Sequence, residues 1–191
     1  MKNHKRSKLV YIQYRLFALI TLLWACLFLT ACAKKTPPRP PAPKTLAQIR
    51  QTYIHELRKN NVQVIKLGQT MRVVLLSDYL FNPNSANIQT SYRPVLRTLA
   101  RLMNTYVKVN VQIAGYTNRG YNVKREQALT TRQAQVVASY LWSRGIDARL
   151  EYAMGFNQKN PVGWNGSAVG RHFNRRVEVT FRFYPSTVPY A

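Results

Sequence analysis

The sequence predicts an α+β fold in which helices pack on one face of a mixed β-sheet. Segments with the spacing of an amphipathic helix take turns along the chain with short segments in which apolar and polar residues alternate singly. The chain of 191 residues is 46% hydrophobic and 12% aromatic, which suffices for a core and excludes wholesale disorder. Its two cysteines exclude a disulfide scaffold, so packing has to stabilise the fold.

Three segments of the chain have the pattern of helices. Thr45 and Gln48 have the spacing of a capping box at the start of the first helix. Pro94 is tolerated in the first turn of the second. Thr130 is predicted as the N-cap of the third, and Gly145 as the glycine that ends it. The apolar positions of these helices are, in chain order, Leu46, Ile49, Tyr53 and Leu57; Val95, Leu96, Leu99, Leu102 and Met103; and Ala134, Val137 and Leu141.

Five segments alternate as strands do, and the first two are separated by a turn region at Gly68. Strands of this kind bury one face, because successive side chains point to opposite sides of the sheet. The apolar positions are Val62 and Val64; Met71, Val73 and Leu75; Val107, Val109, Val111 and Ile113; Leu150, Tyr152 and Met154; and Val177, Val179, Phe181 and Phe183. Strands and long helices therefore alternate along the chain, as the predicted fold class requires.

The N-terminal region has the pattern of an export signal. Basic residues precede an uncharged apolar run at residues 16–28, which is short for a membrane span of about 20 residues. Residues 29–32, Leu-Thr-Ala-Cys, resemble the bacterial lipobox, in which the cysteine carries acyl chains such as palmitate and becomes the new N-terminus. We therefore predict a signal peptide at residues 1–31 and lipidation of Cys32; the alternative is an uncleaved membrane anchor. Ala33 is not Asp, and by the same resemblance this favours the outer membrane.

A proline-rich segment follows the predicted lipidation site. Residues 34–44 contain five of the ten prolines of the chain, a composition that favours extended polyproline II structure. Residues 32–44 are therefore predicted to be a spacer between membrane and domain, with a ligand for a proline-binding module as the less favoured alternative. The domain is predicted at residues 45–185 and a tail at 186–191. Removing residues 1–31, which carry five basic and no acidic side chains, leaves 160 residues and a net charge of +18.

An ordered series of motifs in the second half of the chain resembles one family. These motifs are Gly115-Tyr116-Thr117-Asn118-x-Gly120, Leu129-Thr130 with Ala134 and Val137, Gly145-Ile146, Gly155-Phe156, and Gly170-Arg171-x-x-Asn174-Arg175-Arg176-Val177. The series is similar to the C-terminal domain family of OmpA, which includes the peptidoglycan-associated lipoproteins. The resemblance implies a small α+β domain that binds peptidoglycan through the diaminopimelate of its stem peptide.

The chain departs from the family pattern at three charged positions. Asn118 stands where the family has the aspartate that pairs with the ammonium group of the ligand, and Asn82 stands where another aspartate is frequent. Gln133 replaces the arginine that holds the carboxylate of the ligand, while Arg132 lies one residue earlier, about 100° away around a helix. Gln133 also has the spacing of a capping box with Thr130. We therefore expect the fold to be kept and recognition of diaminopimelate to be weakened or lost.

Four further side chains remain candidates for contact with an anionic glycan peptide: Thr117, Arg132, Arg171 and Arg176. Arg175 and Arg176 have an equally good structural explanation, in which they orient the last strand. A net charge of +18 attracts any polyanion. Nucleic acid is not expected as a partner, because the sequence has no recognised binding motif and the predicted export separates it from DNA and RNA.

Catalysis and metal binding are not expected either. The chain after residue 31 has six carboxylates and two histidines, too few for an evident general acid-base pair or a metal site. Asp78 and His172 could form a general acid-base pair, but their spacing in the sequence does not support one. No cofactor is predicted, apart from the lipid on Cys32.

The function predicted from these observations is that of an outer-membrane lipoprotein with its domain in the periplasm. The lipobox, the spacer and residues 73–81 also resemble the OmpA-like lipoprotein of the Dot/Icm type IVB secretion apparatus. We therefore predict a structural component of such an apparatus near peptidoglycan, with the membrane, peptidoglycan and other core subunits as partners. The alternative is a tether that links the outer membrane to the cell wall.

Overall fold

The computed structural model describes residues 15, 17, 42–118, 120 and 122–185. Cys32 and most of the predicted signal peptide and spacer lie outside the described residues. Backbone contacts divide the chain into two units, Met1–Pro43 and Lys44–Ala191. The predicted boundaries at residues 31, 44 and 185 stay predictions. Within the described ranges, no helix is long and apolar enough to cross a membrane.

The second unit contains five helices and five strands among its described residues. The helices are α1 Leu46–Lys59, α2 Ser77–Leu80, α3 Arg93–Asn104, α4 Val123–Trp142 and α5 Ala168–Asn174. The strands are β1 Gln63–Leu67, β2 Thr70–Leu76, β3 Lys108–Tyr116, β4 Glu151–Asn157 and β5 Arg176–Phe183. Short 3₁₀ turns at Thr90–Tyr92 and Ala148–Leu150 precede α3 and β4.

The five strands form one mixed sheet in the order β1-β2-β5-β3-β4. Only β3 and β4 pair in parallel; the other neighbours are antiparallel. Alternate residues of the sheet face the core, where they meet the apolar stripes of α1, α3 and α4. Sheet residues in this core include Met71, Val73, Leu75, Val111, Ile113, Val177, Val179 and Phe181, and helix residues include Leu57, Leu96, Leu99, Leu102, Ala134, Val137 and Leu141.

The predicted α+β class, with helices on a mixed sheet, is confirmed. The capping box is also present, because the Thr45 side chain accepts from the backbone of Gln48 while the Gln48 side chain accepts from the backbone of Thr45. Pro94 lies in the first turn of α3. Gly68 has a φ of 56° in the tight turn that joins β1 to β2, a left-handed conformation that glycine adopts at little cost. Gly145 follows α4 with a φ of 87°, as predicted.

The predicted start of the third helix is wrong. α4 begins at Val123, and its N-cap is Asn122, whose side chain accepts a hydrogen bond of 2.9 Å from the backbone of Arg125. Thr130 is fully buried in the third turn, where its hydroxyl donates to the carbonyl of Glu126 at 2.9 Å. Thr130 therefore forms no capping box with Gln133. The first two turns were missed because four consecutive polar residues, 124–127, separate Val123 from Ala128, so no apolar stripe indicates a helix there.

Smaller differences concern strand ends and one short helix. Val107 was predicted on a buried face but is 51% exposed, because a register shift between Lys108 and Asn110 breaks the alternation of β3. Leu150 lies in a 3₁₀ turn instead of β4, and Tyr152 is exposed at the sheet edge. The helix α5 was not predicted, since seven residues carry too little periodic signal.

Candidate ligand pocket

An open pocket of about 920 Å³ lies at the N-terminal half of α4. Three stretches of chain and one side chain form it: residues 77–87, the loop that follows β3, residues 125–133 of α4, and Arg175. Such a volume suits a small ligand, for which pockets range from about 300 to 1,000 Å³. We call this the α4 pocket.

Two glycines let α4 approach the sheet closely enough to form one wall of the α4 pocket. A Cβ atom on Gly115 of β3 would lie 2.2 Å from the carbonyl oxygen of Thr130. A Cβ atom on Gly155 of β4 would lie 2.5 Å from both the hydroxyl of Thr130 and the backbone nitrogen of Thr131. Neither glycine could carry a side chain unless the helix moved. The position of the α4 side chains in the pocket therefore depends on these contacts.

Five of the seven predicted binding residues lie together in the α4 pocket: Asn82, Thr117, Asn118, Arg132 and Gln133. They come from three separate elements, because Asn82 follows α2, Thr117 and Asn118 follow β3, and the other two lie on α4. The structure thus brings the predicted residues to one place. What they bind stays a prediction.

Gln133 connects two walls of the α4 pocket. The side chain is buried, with 6% of its surface exposed, and its amide nitrogen donates to the carbonyl of Ser85 at 2.9 Å. This bond fixes the loop at residues 81–87 to α4, because a buried amide without a partner would be costly. Gln133 therefore has a structural role, different from the capping role that the sequence suggested.

Arg175 lines the same pocket and is held by a neighbour far away in sequence. Its guanidinium donates from Nε to Oδ1 of Asp78 at 2.7 Å and from Nη2 to Oδ2 at 2.6 Å, while Nη1 donates to Oδ1 of Asn118 at 3.3 Å. The hydrogen bonds from Arg175 lower the pKa of Asp78, as does the contact with His172, whose Nδ1 lies 2.7 Å from Asp78 Oδ2. The charge of Arg175 is thus largely neutralised inside the pocket wall.

Three other charges of the α4 pocket have no such compensation. The side chains of Arg125 and Arg132 are exposed and form no hydrogen bond or ion pair with the described residues. Oε2 of Glu126 is buried without a hydrogen-bond partner. Motif comparison missed Arg125 and Glu126, because the quoted motifs leave residues 121–128 blank. The usable signal was their spacing from Leu129 and Arg132, which puts them on the same face of a helix.

The remaining two predicted residues do not line the pocket. Arg176 is 3% exposed and donates to Glu178 at 2.8 Å and to the carbonyl of Asn160 at 3.1 Å, with its guanidinium carbon 4.1 Å from the centre of the Tyr116 ring. These contacts give it a structural role, and contact of Arg176 with a ligand stays a prediction. Of the two explanations considered for it, orientation of the last strand is the one that the contacts support.

Arg171 is likewise engaged within its own segment. Its Nη1 donates to the carbonyl of Asn165 at 3.0 Å, which ties α5 to the loop before it. In the same loop, Oδ1 of Asn174 accepts from the backbone nitrogens of Val162 and Gly163 at 2.8 and 2.9 Å. Arg171 and Asn174 thus hold the segment that follows β4, away from the α4 pocket.

Asp78 and His172 do form the contact that their sequence spacing did not suggest. Asp78 also accepts two hydrogen bonds from Arg175, and its lowered pKa makes it a weak proton acceptor. The geometry therefore explains a structural link between α2 and α5. Among the described residues, no group of three or more His, Cys, Asp or Glu side chains is placed to hold a metal ion.

Comparison with known proteins gives one family and several relatives. The sequence model of the OmpA family matches residues 80–175. The probable lipoprotein YiaD of Escherichia coli K12 is 29% identical over 125 residues, which cover 65% of this chain and 57% of YiaD. Outer membrane protein A of Escherichia fergusonii is 38% identical over 99 residues, which cover 51% of this chain and 41% of that protein. The chain thus spans about half the length of these curated relatives.

Two solved structures share the fold. The cell wall anchor of the T6SS from Pseudomonas aeruginosa is 27% identical with a TM-score of 0.64, over 70% of this chain and 96% of that chain. A putative MotB-like protein from Desulfovibrio vulgaris has a TM-score of 0.63 at 21% identity, over 73% of this chain and 92% of that chain, which shows the fold alone. The names of these relatives describe membrane proteins, a lipoprotein and a cell wall anchor, and none of them describes an enzyme.

Proposed function

The chain belongs to the OmpA family, and on that premise we propose that it is a non-catalytic outer-membrane lipoprotein whose periplasmic domain contacts peptidoglycan. The proposal places a lipid anchor at Cys32 and a spacer at residues 32–44 between membrane and domain. Similarity to a probable lipoprotein and to a cell wall anchor supports it. No cofactor other than the lipid is part of it.

The observation that carries the proposal is the pair of opposite, uncompensated charges in the α4 pocket. Oε2 of Glu126 is a buried carboxylate oxygen without a hydrogen-bond partner, and Arg132 has an exposed guanidinium. The two residues are six positions apart on α4, or about 9 Å along the helix axis. A ligand that bears both a carboxylate and an ammonium group can pair with two such charges, and the diaminopimelate that the family resemblance implies is such a ligand.

Asn118 and Gln133 then act as neutral partners beside these charges. Asn118 already accepts from Arg175, and Gln133 already donates to Ser85, so both help to shape the pocket. Charge-assisted hydrogen bonds are about twice as strong as neutral ones. The affinity for diaminopimelate is therefore expected to be lower than in a pocket that has charges at these two positions as well.

The test is co-sedimentation of the purified 44–191 unit with diaminopimelate-type sacculi. This unit contains every residue of the hydrophobic core. Glu126→Gln and Arg132→Gln should each reduce the retained fraction, with affinity about fivefold to tenfold lower, because each replaces a charged group by a neutral amide. Arg101→Gln is the matched control, since Arg101 is exposed on α3 and does not line the pocket.

Two outcomes decide between the versions of this proposal. Retention that Glu126→Gln and Arg132→Gln reduce supports recognition by the α4 pocket. If only the double variant Asn118→Asp/Gln133→Arg is retained, the unmodified domain has kept the shape of the binding site but has lost the charges that binding needs. Absence of retention for every variant would contradict peptidoglycan contact by this domain.

A second proposal is a role in a secretion apparatus. Similarity to the cell wall anchor of the T6SS, which has the same fold, supports this proposal. The more specific form is a structural component of the Dot/Icm type IVB apparatus, resembling DotK (IcmN) in the lipobox, the spacer and residues 73–81. A tether should fractionate with sacculi from cells by itself. A component of an apparatus should lose that fractionation when the other core subunits are deleted.

Lipidation at Cys32 is tested separately. Labelling with a palmitate analogue in cells should be lost in Cys32→Ser and kept in Cys26→Ser, because only Cys32 follows the lipobox pattern. Labelling of both variants would contradict the assignment. Fractionation of the labelled chain with outer membranes tests the predicted localisation.

A further inference from the structure

A second cavity, an open groove of about 900 Å³, lies on the face of the sheet opposite the core. It runs along residues 61–65 at the sheet edge, crosses the outer face of β2, and ends against α5. Its apolar walls come from Ile65, Val74, Leu76, Tyr79, Val162 and Phe173. We call this the outer groove; α2 separates it from the α4 pocket, because Tyr79 lines one cavity and Asp78 the other.

The outer groove is bordered by large apolar side chains that solvent reaches. Ile65 and Phe173 are each 40% exposed, Tyr79 is 42% exposed, and Val162 is 62% exposed. Val169 on α5 and Trp164 before it are 66% and 77% exposed. Single exposed apolar residues are ordinary, but a group of them around one concave surface is typical of an interaction site.

The edge of the sheet beside this groove has outward backbone groups; Arg58 already binds one of them, the carbonyl of Val64, and the amides of Val64 and Lys66 form no hydrogen bond with the described residues. β1 is the first strand in the sheet order and pairs only with β2 among the described residues. Arg58 Nη2 donates to the carbonyl of Val64 at 3.1 Å, so that carbonyl points away from β2. In an antiparallel ladder the outward positions alternate, which makes Val64 and Lys66 the outward residues of β1. An extended segment could therefore pair along β1.

The charge of the outer groove is positive. Arg58 and Arg72 line it, and Arg58 forms no ion pair with the described residues. The single carboxylate in the lining, Glu178, lies between Arg176 at 2.8 Å and Arg72 at 3.7 Å. Three arginines and one glutamate line the groove, so two positive charges remain after Glu178 is paired. An occupant with carboxylates complements this surface, whereas a basic one would be repelled.

We infer that the outer groove binds an extended segment of a partner protein, which adds to β1 as a strand and carries apolar residues on one face and carboxylates on the other. Strand addition to a sheet edge supplies main-chain hydrogen bonds, and the side-chain contacts select the partner. The apolar face of the segment packs on Ile65 and Phe173, and its carboxylates, which alternation places on the opposite face, meet Arg58 of α1 at the sheet edge. This surface is separate from the α4 pocket and does not depend on peptidoglycan contact.

The test uses a defined probe with the 44–191 unit. The probe is a synthetic peptide of about ten residues, the upper length of common strands, in which valine alternates with glutamate. A second peptide has lysine in place of each glutamate. Chemical shifts and amide exchange, measured by NMR, should show saturable binding of the acidic peptide at residues 61–66 and protection of the Val64 and Lys66 amides. The lysine peptide should bind at least about tenfold more weakly.

Variants locate the contact. Phe173→Ala and Ile65→Ser should each weaken binding of the acidic peptide about fivefold, as should Arg58→Gln, while the exposed control Val107→Ser should leave it unchanged. Equal binding of both peptides, binding with shifts outside the groove, or no saturable binding would each overturn the inference. Preferential binding of anionic phospholipid vesicles at these residues would also overturn it. Retention of Phe173→Ala on sacculi should equal that of the unmodified unit, which separates this test from that of the α4 pocket.

Discussion

Gly115→Ala should displace α4 from the sheet and damage the α4 pocket without touching a pocket side chain. The new Cβ would lie 2.2 Å from the carbonyl oxygen of Thr130, whereas ordinary contacts of this kind exceed about 3.4 Å. The helix therefore has to move by roughly 1 Å, and overpacking of this size costs about 1–3 kcal/mol of unfolding free energy. Backbone strain adds nothing, because Gly115 has no left-handed φ.

Gly68→Ala is the control variant, because it should destabilise the fold through backbone strain and not through a steric clash. A Cβ at Gly68 has no atom within 4 Å, but the residue has a φ of 56° that alanine adopts with a strain of about 1 kcal/mol. Both variants should lose stability in urea unfolding followed by circular dichroism. Only Gly115→Ala should also lose retention on sacculi, because only it moves Arg132 and Glu126.

The reasoning would be refuted by a Gly115→Ala protein whose unfolding free energy lies within about 0.5 kcal/mol of the unmodified one. It would also be refuted if both glycine variants lost retention equally. In that case a general loss of stability, and not the position of α4, would explain the effect.

Three further predictions concern charged groups. Burial raises the pKa of Glu151 to about 7 from an ordinary value of 4.5, so the free energy of unfolding should fall as pH rises through this range. Glu151→Gln should remove this pH dependence and stabilise the fold by about 1–2 kcal/mol above pH 7, as measured by urea unfolding at several pH values. Arg176→Met leaves Glu178 with Arg72, at 3.7 Å, as its remaining ion-pair partner among the described residues, and should lower the free energy of unfolding by about 3 kcal/mol in the same assay. The double variant Arg176→Met/Glu178→Leu should recover most of this loss, because it leaves no buried charge unpaired. The pKa of Asp78 is lowered, so its contribution to the stability of the fold is present above pH 3.8 and is lost as pH falls further. Asp78→Asn should remove this dependence of stability on acidic pH in thermal unfolding scans.

The fold was largely predictable because its core-forming segments carry strong periodic patterns. The stripe from Val95 to Met103 and the alternation from Val177 to Phe183 both end up buried as the patterns require. The start of α4 was not predictable in the same way. Its first two turns border the open pocket, where residues 124–127 are all polar, and Thr130 resembled an N-cap because the regular apolar positions Ala134, Val137 and Leu141 lie after it.

The candidate site was predictable where motif positions coincide with pocket positions. Asn118 and Arg132 were found in this way. The ion pair between Asp78 and Arg175 joins residues 97 positions apart, and no local pattern announces such a contact. Arg175 and Arg176 could not be told apart from the sequence because they have the same side chain, whereas the structure places Arg175 in the lining of the α4 pocket and buries Arg176 at the start of β5.

The measurement that tests the central claim most directly is a titration of the 44–191 unit with a soluble muropeptide that contains diaminopimelate, followed by NMR. We predict saturable shifts at the side-chain amides of Asn118 and Gln133, which line the α4 pocket, and weaker binding in Arg132→Gln. Saturation with shifts confined to other surfaces, or no saturable shift at these amides, would contradict the claim that this pocket recognises peptidoglycan.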